Sequence, residues 1–204
     1  MGVTRYNGTA NNADYCYDMK VDAAGNVFVT GYATNQSTGR NMVTIKYDNH
    51  GNMLWMRSFN GTNNGGDYSF AIALDQNSNV YVTGRADMQQ GISNYTSIKY
   101  DANGVQQWIA FYDGPAGQVD EARAIFVDAA GNVYVTGRSR GISGLQDIAT
   151  VKYNSQGVQL WVAVYNGPGN HDDIGNAIIV DASGNVYVTG SSIGSSSGDD
   201  YVTI

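Results

Sequence analysis

Four aspartates stand at one phase of a strict 53-residue period: Asp14, Asp67, Asp120 and Asp173. Carboxylates repeated in this way suggest a ring of oxygens around a cation or a basic ligand. Calcium takes roughly six to eight oxygens, so one Asp per copy is too few unless all four converge. The plainer reading gives each Asp its own loop to brace through backbone amides. Repetition in every copy favours bracing, because working sites usually break symmetry. His171-Asp172-Asp173 does break the period, as do Glu121 and Arg123. An imidazole beside two carboxylates suits metal binding or base catalysis. Sequence neighbours seldom converge on one ion, however, and the second histidine, His50, falls in a different turn.

Arg85, Arg138 and Arg140 fall on the segments that differ most between copies: 32–41, 85–94, 138–146 and 191–199. Variable loops on a repeated frame are where binding specificity resides. The candidate ligand-binding set is therefore the four aspartates, His171 and these three arginines. Tyr81, Tyr134, Tyr187, Tyr100 and Tyr153 invite a carbohydrate platform, but their regular placement is better explained as filling space between sheets. No catalytic constellation, metal-ligand set or cofactor signature emerges. The chain lacks a phosphate-cradling glycine loop, and many of its glycines fall at turns.

The elements that position these residues follow from the repeat. The run Val21-Asp22-Ala23-Ala24-Gly25-Asn26-Val27-Phe28-Val29-Thr30-Gly31 returns at Leu74, Val127 and Val180. A second block, Lys46-Tyr47-Asp48 with Gly51 and Trp55, returns at Lys99 and Lys152 with the same spacing. No insertion interrupts the period, so each copy is one structural unit. A copy contains four strand-like runs, typified by Ala71–Asp75, 79–84, 96–100 and 105–112. Asp22, Asp75, Asp128 and Asp181 each open a tight turn between the first two runs. Aspartate accepts from turn amides, and glycine takes the left-handed position. A second Asp/Asn-Gly turn joins the last two runs, so the copy reads as an antiparallel meander.

Composition agrees. One glutamate and four leucines among 204 residues leave little for helix, while Val, Thr, Tyr, Asn and Gly are abundant. A net charge of −7 without a Lys/Arg cluster argues against nucleic acid as a partner. No apolar stretch approaches the roughly 20 residues of a membrane helix. The first residues carry no apolar signal core. Cys16 is the single cysteine, which excludes an intrachain disulfide. Four-stranded units of this length, unable to bury both faces alone, stack radially as propeller blades. Tyr6-Asn7-Gly8 matches Phe59-Asn60-Gly61, and Tyr201–Ile204 matches the third run of a copy. The expected repeats are therefore about 7–59, 60–112, 113–165 and 166–204, the last completed by 1–6. Pairing of the two ends closes a four-bladed ring. Pairing with a second copy makes each chain half of an eight-bladed homodimer.

The Asp-Ala-x-Gly-Asn-Val-Tyr-Val-Thr-Gly block resembles the bacterial SBBP-type β-propeller repeat over essentially the whole chain. That resemblance implies a binding or display role in a cell-surface or secreted setting, with no catalytic residue and no cofactor. Full members of the family carry more than four blades, so a natural fragment or an engineered piece is one expectation. The Tyr-Asp-x-x-Gly-x-x-x-Trp block is similar to the tryptophan-docking motif of quinoprotein-type propellers. It implies that Trp55, Trp108 and Trp161 pack between neighbouring sheets, and Gly2 stands at the matching phase of the fourth copy. The function expected is a non-catalytic scaffold for a protein or glycan ligand. A self-assembling half-ring and a hydrolase or lyase with a funnel site are the alternatives.

Overall fold

A computed structural model describes residues 3–204, and it is all-β. The expectation attached to Gly2 lies outside the described residues. The first sheet contains β1 (Tyr15–Val21), β2 (Val27–Asn35), β3 (Gly39–Tyr47) and β4 (Met53–Phe59). The second contains β5 (Tyr68–Leu74), β6 (Val80–Gln89), β7 (Ile92–Tyr100) and β8 (Gln106–Tyr112). The third contains β9 (Asp120–Val127), β10 (Val133–Arg140), β11 (Gln146–Tyr153) and β12 (Gln159–Tyr165). A three-stranded sheet of β13 (Asp173–Val180), β14 (Val186–Ile193) and β15 (Asp199–Thr203) ends the chain. Every sheet is an antiparallel meander in chain order.

Two strands run longer than the sequence pattern predicts. The second and third strands continue into the segments read as variable loops, so β6 and β7 meet in a tight hairpin around 90–91. Arg85 and Arg138 therefore sit on rigid strand rather than on loop. The first strand also begins earlier, at Tyr68 instead of Ala71. A β-bulge leaves Phe70 unpaired between Ser69 and Ala71 and shifts the inside–outside alternation by one residue. Read by alternation, the strand appears to start only after the bulge.

The turns are built as the aspartates foretold. Asp75 Oδ1 accepts the amides of Asn77 and Asn79 at 2.9 and 3.0 Å, and Oδ2 accepts from Asn79 Nδ2 and the Tyr81 hydroxyl. Asp128 and Asp181 repeat the pattern, and Asp22 repeats it with the Ser78 hydroxyl in place of the tyrosine, since Phe28 stands at that position. Burial alone would raise the Asp75 carboxyl, but the bonds from Asn79 and Tyr81 outweigh it and hold it below the usual carboxylate range. Asp22 and Asp128 are lowered by the same balance, and Asp48 and Asp181 chiefly by the Asn52 and Asn185 side chains. Burial instead pushes Asp67, Asp120 and Asp147 up.

A lowered folded pKa contributes stability that is present above the unfolded value of about 3.9 and lost as pH falls through the folded one. A raised one contributes stability that is lost as pH rises. The lowered group is the larger, so the urea midpoint should fall below about pH 4. Asp75→Asn should flatten that fall and cost about 1 kcal/mol at neutral pH. An unchanged acid slope would show that these turns do not set it.

Successive sheets stack face to face. The first strand of each sheet packs on the first strand of the next, β1 on β5, β5 on β9 and β9 on β13. These strands converge as the inner wall of the stack. Farther out, Trp55 Nε1 donates to the Ala102 carbonyl and Trp108 Nε1 to that of Ser155, both at 3.1 Å. Each indole lies on the turn glycine of the following sheet, Gly104 or Gly157. Phe28, Met42 and Trp55 of the first sheet meet Ile72, Val80, Val82, Ile98 and Tyr100 of the second in one apolar cluster. The same packing recurs between the second and third sheets through Tyr81, Val133, Val135, Val151 and Tyr153.

The outward face of the fourth sheet does not share this burial, whereas on the first sheet Val43 and Ile45 are buried with Tyr6 packed against them. Tyr187 is 43% exposed, whereas Tyr81 and Tyr134, its equivalents, are 0% and 2%. On the first sheet, Val29, Val43, Ile45 and Tyr47 line an apolar cleft of about 260 Å³ beside Thr4 and Tyr6. The Thr4 hydroxyl donates to the Gly51 carbonyl at 3.0 Å. Arg57 Nε makes the same bond to Gly104 one period later, at 2.6 Å.

Candidate functional site

The frame repeats, but its inner wall does not. In each sheet, one residue of the first strand pairs directly with one of the second: Tyr15 with Tyr32, Tyr68 with Arg85, Glu121 with Arg138, and Ile174 with Ser191. Two residues on, the bulge leaves Tyr17, Phe70, Arg123 and Asn176 unpaired at equivalent places. A bulge re-aims a side chain out of the ladder's alternation. One backbone geometry thus carries four different chemistries along the wall.

On the first two sheets the wall is aromatic. Tyr15 stacks on Tyr32 with ring centroids 5.3 Å apart, and Tyr17 meets Phe70 at 5.1 Å. Tyr68 lies parallel to Phe70 at 5.9 Å and edge-on to Tyr32 at 5.1 Å. Tyr15 and Tyr17 are 56% and 46% exposed, unusual for rings this large on an ordered strand. Burial pushes the Tyr17 and Tyr32 hydroxyls above their usual range, and neighbouring phenols add to it, so both rings stay neutral at physiological pH.

Charge follows where the aromatics end. Arg40 lies over the Tyr32 and Tyr68 rings and donates to the Tyr68 hydroxyl at 2.9 Å. Arg85 also lies over Tyr68, 4.9 Å from the ring centroid. It also faces Glu121 at 3.5 Å, and Arg123 and Arg138 reach the same carboxylate at 3.0 and 3.2 Å. Glu121 is buried, while the three guanidinium side chains remain roughly a third exposed. Three positive charges surround one negative charge in a chain whose overall charge is −7. Asp87 stands at the rim, where it shares a cleft of about 260 Å³ with Arg85, Tyr68 and Ser93.

The other sequence candidates lie elsewhere. Asp67 Oδ2 accepts the Gly61 amide at 2.8 Å, and Oδ1 accepts the Asp87 amide at 2.8 Å. Asp14 joins Gly8 to Thr34, and Asp120 joins Gly114 to Arg140 and the Ser139 hydroxyl, in the same way. Asp173 holds Gly167, but its second oxygen has no partner. Asp67, Asp120 and Asp173 are fully buried, so these carboxylates brace loops and form no open ring of oxygens. His171 is exposed, and Asp172 accepts the Gln146 amide at 2.9 Å. Among the described residues, no group of three or more His, Cys, Asp or Glu side chains is disposed to hold a metal ion. Arg140 does not join Arg85 and Arg138 at Glu121. Its Nε donates to the Gly144 carbonyl at 2.7 Å and closes its own hairpin.

Sequence reasoning noticed Glu121 and Arg123 as breaks in the repeat and missed Tyr15, Tyr17, Tyr68 and Phe70. Comparing the four copies position by position at this one phase would have found the whole wall.

Residues 160–197 match the SBBP family, described as a beta-propeller repeat. The chain is 26% identical over 196 residues to an uncharacterized WD repeat-containing protein of Acanthamoeba polyphaga mimivirus, covering 76% of this chain and 13% of that protein. It is 34% identical over 111 residues to the regulatory protein FlaEY of Caulobacter vibrioides, covering 47% of this chain and 11% of that protein. The chain thus spans about an eighth of the length of these relatives. Among solved structures, a Dyadobacter fermentans protein of unknown function aligns with a TM-score of 0.56 at 10% identity, over 91% of this chain and 59% of its own. Drosophila Semaphorin 1a, extracellular domains 1-2, aligns with a TM-score of 0.54 at 15% identity, over 94% of this chain and 41% of its own. At such identities the likeness is one of fold alone.

Proposed function

We propose that this chain, with its SBBP beta-propeller repeat at 160–197, is a non-catalytic propeller scaffold whose inner wall binds a protein or glycan ligand. One observation carries the reading. The residues that build the frame recur at every period, whereas those facing inward at the bulge change from Tyr17 and Phe70 to Arg123 and Asn176. A purely architectural surface would keep the period. Fold alone assigns no function, and the similarity to a WD repeat-containing protein supports only the scaffold. The family resemblance supports a bacterial, secreted or cell-surface setting.

Glycan and peptide arrays probed with the wild type and two variants test this reading. Ligands should be lost in Tyr17→Ser and retained when the hairpin tip at 90–91 is replaced by Asn-Gly. Loss only with the tip replacement would move binding to the hairpins. Turnover of a captured ligand would instead favour a hydrolase or lyase and overturn the non-catalytic reading.

A second reading, self-assembly, is favoured by the exposed outward face of the fourth sheet, where Tyr187 and Ile179 are 43% and 61% exposed. Thr4 repeats on Gly51 the contact that Arg57 makes on Gly104, which supports reading residues 3–6 as the outer strand of a preceding blade. The fourth sheet has three strands and an open cleft of about 210 Å³ lined by Trp161, Val186, Val188 and Ile204. Two copies joined head to tail, twice over, would cover both faces in an eight-bladed ring of closed symmetry. Light scattering should then give twice the chain mass of 21.8 kDa at all working concentrations. A stable monomer would sink the half-ring.

A further inference from the structure

Resting on the inner-wall reading, we infer that the wall is a site for an acidic oligosaccharide, one whose sugar rings bear carboxylates. Arg85, Arg123 and Arg138 present roughly fifteen guanidinium N–H bonds, and Glu121 offers about four lone-pair positions. All three arginines lean on that single carboxylate; the Nε donors of Arg85 and Arg138 are buried without an acceptor, and the donors open to a ligand are those of the exposed third of each side chain. Arg123 also contributes Nη1 to Asn176 Oδ1, at a long 3.3 Å. The cluster holds two positive charges beyond its own neutralisation, and Arg40 adds a third over Tyr68. Planar guanidinium groups recognise carboxylates by paired donors, and these are spread along one strip of wall.

The aromatic half decides among anions. Tyr17 and Phe70 occupy in their sheets the place that Arg123 occupies in the third, on first strands that pack side by side. Exposed phenol faces offer flat apolar area with a polar rim. The C–H face of a pyranose fits that surface, while a carboxylate on the next sugar reaches the arginines. Bare phosphate or sulfate would use the arginines and leave the rings idle. An extended acidic peptide has no flat face to lay on Tyr15 and Tyr17.

Calorimetry with an α-1,4-linked galacturonate pentamer, its neutral galactose counterpart and a penta-aspartate peptide tests the assignment. The wild type should bind the galacturonate and leave the other two at least tenfold weaker. Tyr17→Ser and Arg123→Gln should each weaken galacturonate binding about tenfold. Glu121→Gln removes the internal competitor and should tighten it several-fold, which a merely structural ion cluster would not do. Far-UV circular dichroism establishes that each variant is folded, and a variant that unfolds is replaced by Phe70→Ser or Arg138→Gln. No galacturonate binding, equal binding of the neutral sugar, or preference for the peptide would each overturn the assignment. The array screen separates failures. If another ligand is lost in Tyr17→Ser, the inner-wall reading survives with a different chemistry, and if nothing binds the wall, both fall.

Discussion

Gly84→Ala should be among the most destabilising single substitutions in this chain, costing about 4 kcal/mol of stability. Gly84 pairs with Ser69 where the bulge carries β5 across β6. A methyl placed there collides with the carbonyl of Tyr68, and its carbon would stand only 2.8 Å away. The obstacle is backbone, so no side-chain rotation relieves it. Relief requires moving β5, and β5 bears Tyr68 and Phe70 and packs against β1 and β9. Gly31, Gly137 and Gly190 meet the same obstacle in their sheets. Gly91 supplies the contrast. Its φ is +80°, yet nothing lies within 4 Å of an added methyl. Gly91→Ala should cost only about 1 kcal/mol. Urea unfolding of both variants checks the difference. Equal losses would mean that backbone crossing at the bulge is not what demands glycine in the Val-Thr-Gly block.

The second large effect concerns the indoles. Trp108 lies against Gly157, where an added methyl would stand 2.7 Å from its ring, and it reaches Tyr81 and Tyr153 at 6.2 and 6.3 Å. Its Nε1 donates to the Ser155 carbonyl. Removing it opens a cavity between the second and third sheets and orphans a carbonyl, so Trp108→Ala should cost about 3–5 kcal/mol. Trp161 stands at the same phase but lines the open cleft of the fourth sheet, with Tyr134 its aromatic neighbour at 6.2 Å. Trp161→Ala should cost about 1–2 kcal/mol, because most of what it loses is partial burial. The order of the two unfolding midpoints is the test. If Trp161→Ala matched Trp108→Ala in the isolated chain, the fourth sheet would have to be covered in solution, which the second functional reading requires.

Much of this frame is written into single positions. The 53-residue spacing of Asp22, Asp75, Asp128 and Asp181 marks the turns, and each carboxylate makes the local bonds its type allows. Trp55 and Trp108 mark the seams for a similar reason, since each meets a turn glycine of the following copy. The site is less legible because it is assembled across copies. Arg85 comes from the second sheet and Glu121, Arg123 and Arg138 from the third, 53 residues apart at the extremes. Nothing local marks Tyr17 or Phe70 as inward-facing either. A bulge is defined by the register of the partner strand, and it reverses the alternation by which facing is read. Arg140 shows the converse. It sits two residues beyond Arg138 in sequence, yet closes its own hairpin on Gly144.

The proposed ligand lies on the inner wall of a rigid repeated frame. Hydrogen–deuterium exchange, with and without whichever array ligand binds most tightly, tests this most directly. Bound ligand should slow exchange along β1, β5 and β9, including the bulge amides at Tyr17, Phe70 and Arg123, while the hairpin tips near 37 and 91 stay unchanged. Protection confined to those tips, with the first strands unaffected, would contradict it.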